Sequence, residues 1–221
     1  MTLDFDLRDI DDKAFCVEDF IGRNLLDFTT KEWFQFAKAN KNFHEPGISA
    51  DELRALHEAF AVFGNRPATI VETGMCFGVT TRYFLVRTLK YGGSLHTFEV
   101  MIRPQFKEAM ERIGYWNNIN VHGHSVRDPW SDTIDFMYID SEHALADALG
   151  EYMRFRVWFT SNTIIGFHDT DVCPGVRKAI EFIQEVDDLE LISESTNQAG
   201  AGIKFYKIKT MNRYDRPWQK V

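Results

Sequence analysis

From residue 68 onward the 221-residue chain alternates β-prone runs with helical ones, and no other feature narrows its fold as much. Strand-like runs occupy Ala68–Glu72, Ser94–Val100, Ile119–Gly123, Ile134–Asp140 and Thr163–Asp169. Helical runs at Thr80–Lys90, Pro104–Ile113, His143–Phe159 and Gly175–Val186 fall between or after them. Strands joined by helical crossovers imply a parallel sheet with helices packed on it. Two further strand-like runs, Glu190–Glu194 and Ile203–Lys209, follow each other across "STNQAGAG" with no helix between. A Gly-containing loop of that kind suits a hairpin, which turns one late strand antiparallel to its neighbour. The expectation is an α/β fold of seven strands, mostly parallel, ending in an antiparallel hairpin strand.

Upstream, "TTKEWFQFAKAN" (29–40) has a Thr cap and reads as a short helix. "SADELRALHEAFAVF" (49–63) opens with Ser49 and Glu52 at capping-box spacing, and Leu53, Leu56, Phe60 and Phe63 follow one helical face. "NRP" then breaks the chain before the first strand. This divides the chain into an N-terminal extension over 1–65, a main domain over 66–210 and a tail over 211–221. The tail carries Tyr214 and Trp218 among polar residues, which suits docking on the body or on a second copy in a homodimer.

Composition excludes several classes. A net charge of −8 argues against a general nucleic-acid binder, because phosphate neutralisation needs a basic surface. No apolar run approaches the roughly 18–20 residues that span a bilayer. The acidic start "MTLDFDLRDIDDK" resembles neither a secretory signal nor a transit peptide, and Cys16, Cys76 and Cys173 lie far apart without metal spacing. The reading is a cytoplasmic protein with reduced thiols. Nineteen phenylalanines point to a Phe-rich core.

In open α/β sheets ligands bind beyond the carboxyl ends of the strands. The first strand leads through "VETGMCFGVTT", a glycine turn, into a helix. That arrangement suits a ligand resting on backbone amides, with an anionic group at the helix N-terminus. The second strand delivers Glu99, which lies 27 residues after Glu72 and is placed to accept from both hydroxyls of a ribose. The third delivers His124 and Ser125, the fourth Asp140 and His143, the fifth His168, Asp169, Thr170 and Asp171. Any one of these residues could be a helix cap or a surface group; five consecutive strands ending in polar groups on one edge is the informative coincidence. The spacing G-x-x-x-G, with a carboxylate two residues before the first Gly, differs from the dinucleotide pattern. It would repel a pyrophosphate and receive an ammonium, which fits S-adenosylmethionine.

"VETGMCFGVTT", "HTFEV", "VHGHSV", "MYIDSEH" and "IGFHDTD", in this order, resemble the class I S-adenosylmethionine-dependent methyltransferases. The chain is similar to small-molecule O-methyltransferases of the catechol O-methyltransferase type, and closer to the bacterial branch with an "IDxxH … HDT" signature. The resemblance covers about residues 66–209 and implies a Rossmann-like, doubly wound sheet with helices on both faces. It implies that Glu72, Thr73 and the Gly74–Gly78 backbone line the methionine end, with Thr80 on its carboxylate. It puts Glu99 on the ribose, Val100 beside the adenine, Ser125 at the adenine edge and Asp140 at the cofactor. Asp140 and Asp169 would hold a divalent cation, Mg²⁺ or Mn²⁺, and His143 falls at the family's general base, with Asp140 beside it.

Related metal sites add an Asn after the second Asp or a Glu before it. Here Thr170 and His168 stand there, and Thr170 is the expected third ligand beside Asp140 and Asp169. Thr is a weak oxygen ligand, and His suits Mn²⁺, Fe²⁺ or Zn²⁺ better than Mg²⁺. The extension would cover the active site and select the acceptor, a small hydroxylated sugar, macrolide or aromatic. The competing readings are a protein of this fold that binds without catalysis, and a different reaction on the same scaffold.

Overall fold

The structure is a computed structural model and describes residues 31–32, 48–195 and 201–211. The remainder of the expected 29–40 helix, most of the hairpin loop, the tail and Cys16 lie outside the described residues.

Helix α1 (Ala50–Phe63) carries both bonds of the expected capping box. Ser49 Oγ accepts from the Glu52 amide at 3.2 Å, and Glu52 Oε2 accepts from the Ser49 amide at 2.6 Å. The chain then alternates through β1 (Ala68–Thr73), α2 (Val79–Tyr91), β2 (Gly93–Phe98), α3 (Pro104–Arg112) and β3 (Ile119–His122). After these come β4 (Ile134–Ile139), α4 (Leu145–Phe155), β5 (Phe159–His168) and α5 (Pro174–Val186). It closes with β6 (Asp187–Glu194) and β7 (Ile203–Met211).

These strands form one sheet in the order β3-β2-β1-β4-β5-β7-β6. The first five are parallel, and β7 runs antiparallel to both β5 and β6. The expected seven-stranded mixed sheet is therefore present. One expected helix is shorter than its pattern suggested. Ala144 is extended, so α4 starts at Leu145, and a 3₁₀ turn at Arg156–Trp158 ends it before β5 begins at Phe159.

Alternation along the strands feeds two apolar layers. Ile70, Phe136, Tyr138, Ile164 and Phe205 face α1 and α2, whereas Val71, Met137, Ile139, Ile165 and Phe167 face α4 and α5. On the first face Phe60 stacks on Phe136 with centroids 4.2 Å apart, and Phe84 meets Tyr138 edge-on. Each fully buried aromatic of this kind contributes roughly 1.5–3 kcal/mol, and ten of the nineteen phenylalanines are buried in the core. α1 belongs to this core through Leu53, Leu56, Phe60 and Phe63. Among the described residues no helix is long and apolar enough to cross a membrane, and Cys76 and Cys173 are free thiols.

The register of the parallel strands decides which residues share the carboxyl edge. His122, Phe98, Thr73, Ile139 and Phe167 are paired in one row across β3, β2, β1, β4 and β5. The next residue of each strand therefore falls on the same edge: Gly123, Glu99, Gly74, Asp140 and His168.

Candidate active site

At the β1 end the turn to α2 needs left-handed backbone at Gly74 (φ +82°), Cys76 (φ +46°) and Gly78 (φ +71°). A Cβ on Gly74 would collide with the Asp140 carbonyl, so this glycine lets β1 and β4 end side by side. At Gly78 a Cβ would collide with the Phe106 ring. Glu99 Oε2 accepts from the amides of Met75 and Cys76, both at 3.0 Å, and Oε1 accepts from Met101 at 2.8 Å. A carboxylate offers about four lone-pair sites, so Glu99 retains acceptor capacity while holding the turn. Val100, beside it, is 75% exposed. Among the described residues no side chain caps the N-terminus of α2, which leaves its first amides available.

Glu72 corrects an expectation. It is fully buried and does not face the edge. Its oxygens accept from Thr80 at 2.6 Å, Thr81 at 2.7 Å and Thr97 at 2.8 Å. Burial pushes its pKa up to about 7 against the pull of those hydroxyls. The Thr80 hydroxyl is likewise committed inward, to Glu72 rather than to a ligand carboxylate.

A second buried carboxylate, Glu151 of α4, escaped sequence reasoning. It accepts from Thr73 at 2.8 Å, from Ser141 at 2.7 Å and from Ser125. Burial raises its pKa. The hydroxyls of Thr73 and Ser125, expected at the cofactor, thus point to Glu151 and tie the β1, β3 and β4 ends together. The available signal was an acid on the apolar face of a helix, among Ala148, Tyr152 and Phe155.

The β4 and β5 ends bring the remaining groups together. His168 Nδ1 lies 3.0 Å from Asp140 Oδ1 and 3.4 Å from Asp169 Oδ2. Its Nε2 is 3.6 Å from Glu52 Oε1 and has no hydrogen-bond partner among the described residues. Glu52 Oε1 accepts from the Gly202 amide at 2.8 Å, so the capping residue of α1 also reaches the site. Burial opposes a charge on His168, but Asp140, Asp169 and Glu52 outweigh it and hold its pKa well above the ordinary imidazole value. Glu52, despite burial, is drawn down to about 2 by His168 and the Ser49 donors. Asp169 is lowered by His168 and His143 against its own burial, while burial raises Asp140.

His143 Nε2 lies 2.5 Å from Asp169 Oδ2. It sits in the loop before α4, so the contact comes from the loop and not from a shared helical turn with Asp140. Asp169 has φ +58°, an uncommon conformation for a non-glycine residue, at the start of the β5–α5 loop.

Thr170 also corrects an expectation. It is 1% exposed, and its hydroxyl is directed at Asp171. His168 stands beside the two aspartates instead: one donor atom each from Asp140, His168 and Asp169 lies within 4.8 Å of the others. A mixed nitrogen–oxygen set of this kind fits Mn²⁺, Fe²⁺, Co²⁺ or Zn²⁺, whereas Mg²⁺ prefers oxygen alone. A depression lined by Phe63, Arg66, Asn162 and Lys207 lies at the opposite end of the strands and contains none of these groups.

Residues 71–170 match the family described as a methyltransferase domain. No curated protein matches the chain significantly. Several solved structures share its architecture. An O-methyltransferase from Bacillus cereus in complex with S-adenosylhomocysteine aligns over 87% of this chain and 97% of its own, at 15% identity and a TM-score of 0.59. TomG from Streptomyces achromogenes, an O-methyltransferase of tomaymycin synthesis with S-adenosylmethionine bound, covers 88% of this chain and 96% of its own at 13% identity, TM-score 0.57. PaMTH1, a methyltransferase of Podospora anserina bound to S-adenosylhomocysteine, covers 95% and 99% at 15% identity, TM-score 0.55. At these identities the likeness carries the fold alone, and the family match spans residues 71–170 of the 221. Residues 71–170 are thus similar to a methyltransferase domain, and the chain shares its fold with methyltransferases solved with S-adenosylmethionine or S-adenosylhomocysteine.

Proposed function

We propose that the chain is an S-adenosylmethionine-dependent O-methyltransferase acting on a small hydroxylated molecule. The observation that carries this reading is the in-register row of strand ends, which puts the glycine turn, Glu99, Asp140 and the histidine–carboxylate cluster along one edge of a methyltransferase domain. The relatives solved with S-adenosylmethionine or its demethylated product support the cofactor, and two of them are O-methyltransferases.

In this reading the free amides of α2 receive the methionine carboxylate. With Glu72 withdrawn, the ammonium falls to backbone carbonyls of the turn. One ribose hydroxyl donates to the remaining lone pair of Glu99, and the adenine lies beside exposed Val100. The acceptor oxygen attacks the sulfonium methyl in line, the carbon–sulfur bond breaks, and the hydroxyl proton must leave. His143 takes it. With Nε2 turned to Asp169, the lone pair on Nδ1 is the acceptor, and Asp169 steadies the resulting imidazolium. A cation between Asp140 and Asp169 would lower the pKa of a coordinated hydroxyl.

S-adenosylhomocysteine at about 100 times its Kd should raise unfolding stability by about 2.7 kcal/mol. No stabilisation at millimolar ligand would overturn the reading. Once a hydroxylated acceptor is found, His143→Gln should slow methyl transfer by about 10²–10⁴-fold and leave S-adenosylhomocysteine affinity in place.

A further inference from the structure

We propose that the depression between the end of α1 and strands β5 and β7 is a second ligand site, built for a small aryl carboxylate. It lies at the opposite end of the sheet from the proposed methyl-transfer centre and does not rest on that reading.

The lining has two characters. Val62, Phe63 and Ile164 supply apolar surface, and Arg66, Asn162 and Lys207 supply polar groups. A volume of about 220 Å³ falls below the roughly 300–1,000 Å³ of drug-sized pockets, so the occupant is small. The polar groups are placed by the fold. The Arg66 guanidinium lies over the Phe63 ring, 4.0 Å from its centroid. Asn162 stands on an irregularity of β5, where the two-residue step from Ile134 to Phe136 on β4 is matched by five residues from Phe159 to Ile164. Thr163 pins that segment: its hydroxyl donates to the Ile134 carbonyl at 2.7 Å and accepts from the Thr160 amide at 2.8 Å.

Charge supplies the second, independent observation. Lys207 has no carboxylate partner among the described residues, because Glu190, opposite it in the β6–β7 ladder, lies 3.6 Å from Lys209 instead. Asp135 approaches Arg66 only to 3.9 Å and accepts from the Thr69 amide through its other oxygen, which leaves guanidinium N–H groups to spare. Behind Arg66 stands Arg87, 7% exposed, whose Nη2 donates to the carbonyls of Gly64 and Arg66. Its Nη1 is buried without a hydrogen-bond partner, and no carboxylate pairs with it among the described residues. Three cations thus gather at one pole of a chain whose net charge is −8. An anion balances them. A planar carboxylate can take parallel N–H bonds from Arg66 and further ones from Lys207 and Asn162, while an aryl body covers Val62 and Ile164. A bare phosphate would use only the polar half.

The test titrates benzoate, its neutral counterpart benzamide and inorganic phosphate into the full chain at constant ionic strength, followed by amide chemical shifts. Benzoate should saturate shifts around Phe63, Asn162 and Lys207, with benzamide and phosphate each weaker by about ten-fold or more. Arg66→Gln and Lys207→Gln should each weaken benzoate by roughly ten-fold, the effect of losing a hydrogen bond to a charged group. Thermal unfolding checks that both variants are folded. If either is not, Val62→Glu, at an exposed position of α1, sets a fixed carboxylate at the site and should exclude benzoate as well. No saturation at tens of millimolar benzoate, equal binding of benzamide or phosphate, or an affinity indifferent to Arg66 and Lys207 would overturn the proposal. Stabilisation by S-adenosylhomocysteine, measured in parallel on the unmodified chain, reports separately on the methyltransferase reading.

Discussion

Glu72 lies under the β1 and β2 ends at 0% exposure, and Glu52 lies under the β5 end at 1%. Neither can shed its charge into water. Among the described residues Glu72 is met only by neutral hydroxyls, from Thr80, Thr81 and Thr97, and its pKa is driven up to about 7 by burial. Glu52 is met by two backbone amides and faces a buried imidazole, and although burial pushes its pKa up, these neighbours bring it down to about 2. The difference is in the partners. Hydroxyls solvate a buried carboxylate in part; a cationic neighbour makes ionisation the favoured state. The glycine-turn half of the edge thus buries its acid without a cationic partner, while the β4–β5 half gives its buried acid one.

Removing His168 should disturb this contrast most. His168→Ala leaves Asp140, Asp169 and Glu52 without their central cation and should cost roughly 3–5 kcal/mol in metal-free urea unfolding. A loss under about 1 kcal/mol would show that the three carboxylates do not depend on the imidazole.

Titration comes next, because the two ends should respond to pH with opposite sign. Glu72 has a folded pKa raised from 4.5 to about 7, so its contribution is complete below about 4.5 and is lost as pH rises through about 7. The displacement corresponds to roughly 3 kcal/mol. For Glu52, lowered from 4.5 to about 2, the contribution is present above 4.5 and disappears as pH falls toward 2. Glu72→Gln should therefore flatten the decline in unfolding free energy between pH 5 and 8. Parallel curves for wild type and variant would remove Glu72 as the titrating group.

Smaller effects separate holding the turn from holding a ligand. Glu99→Ala should weaken S-adenosylhomocysteine binding by roughly 1.5–3 kcal/mol, ten-fold or more by calorimetry. An unchanged affinity would confine Glu99 to the Met75, Cys76 and Met101 amides. Thr81→Val, which deletes one of three donors to Glu72, should cost about 1 kcal/mol of stability. That cost should grow from pH 6 to pH 8 as the carboxylate ionises, and a pH-independent cost would place the effect in packing instead.

The sheet was legible because its signals are local: hydrophobic alternation, helix caps and the glycine turn each act over a few residues. Ser49 and Glu52 form the box their spacing predicts. Strand ends were legible too, since register carries them to one edge without further information. What was hidden is long-range. Nothing in "VETG" says that Glu72 turns inward, because its partner Thr97 belongs to another strand. Glu151 gathers hydroxyls from three separate segments, and Thr170 and His168 exchange their expected places because the β5–β7 register puts Gly202 against the first. The second task of Glu52 could not be read from its cap.

The bond between Glu52 and Gly202 spans 150 residues. At synthesis rates of about 5–20 residues per second, α1 is complete some 8–30 s before its distant amide partner exists. During that interval the cap at Ser49 can close, but the acid cannot enter its final pocket. The charged half of the edge is therefore assembled late in the life of the nascent chain, after the glycine turn and its threonines are already in hand. Hydrogen exchange on ribosome-stalled chains of increasing length should find the amides of β1 and β2 protected before residue 202 has been made, and protection that waits for Gly202 would reverse the order.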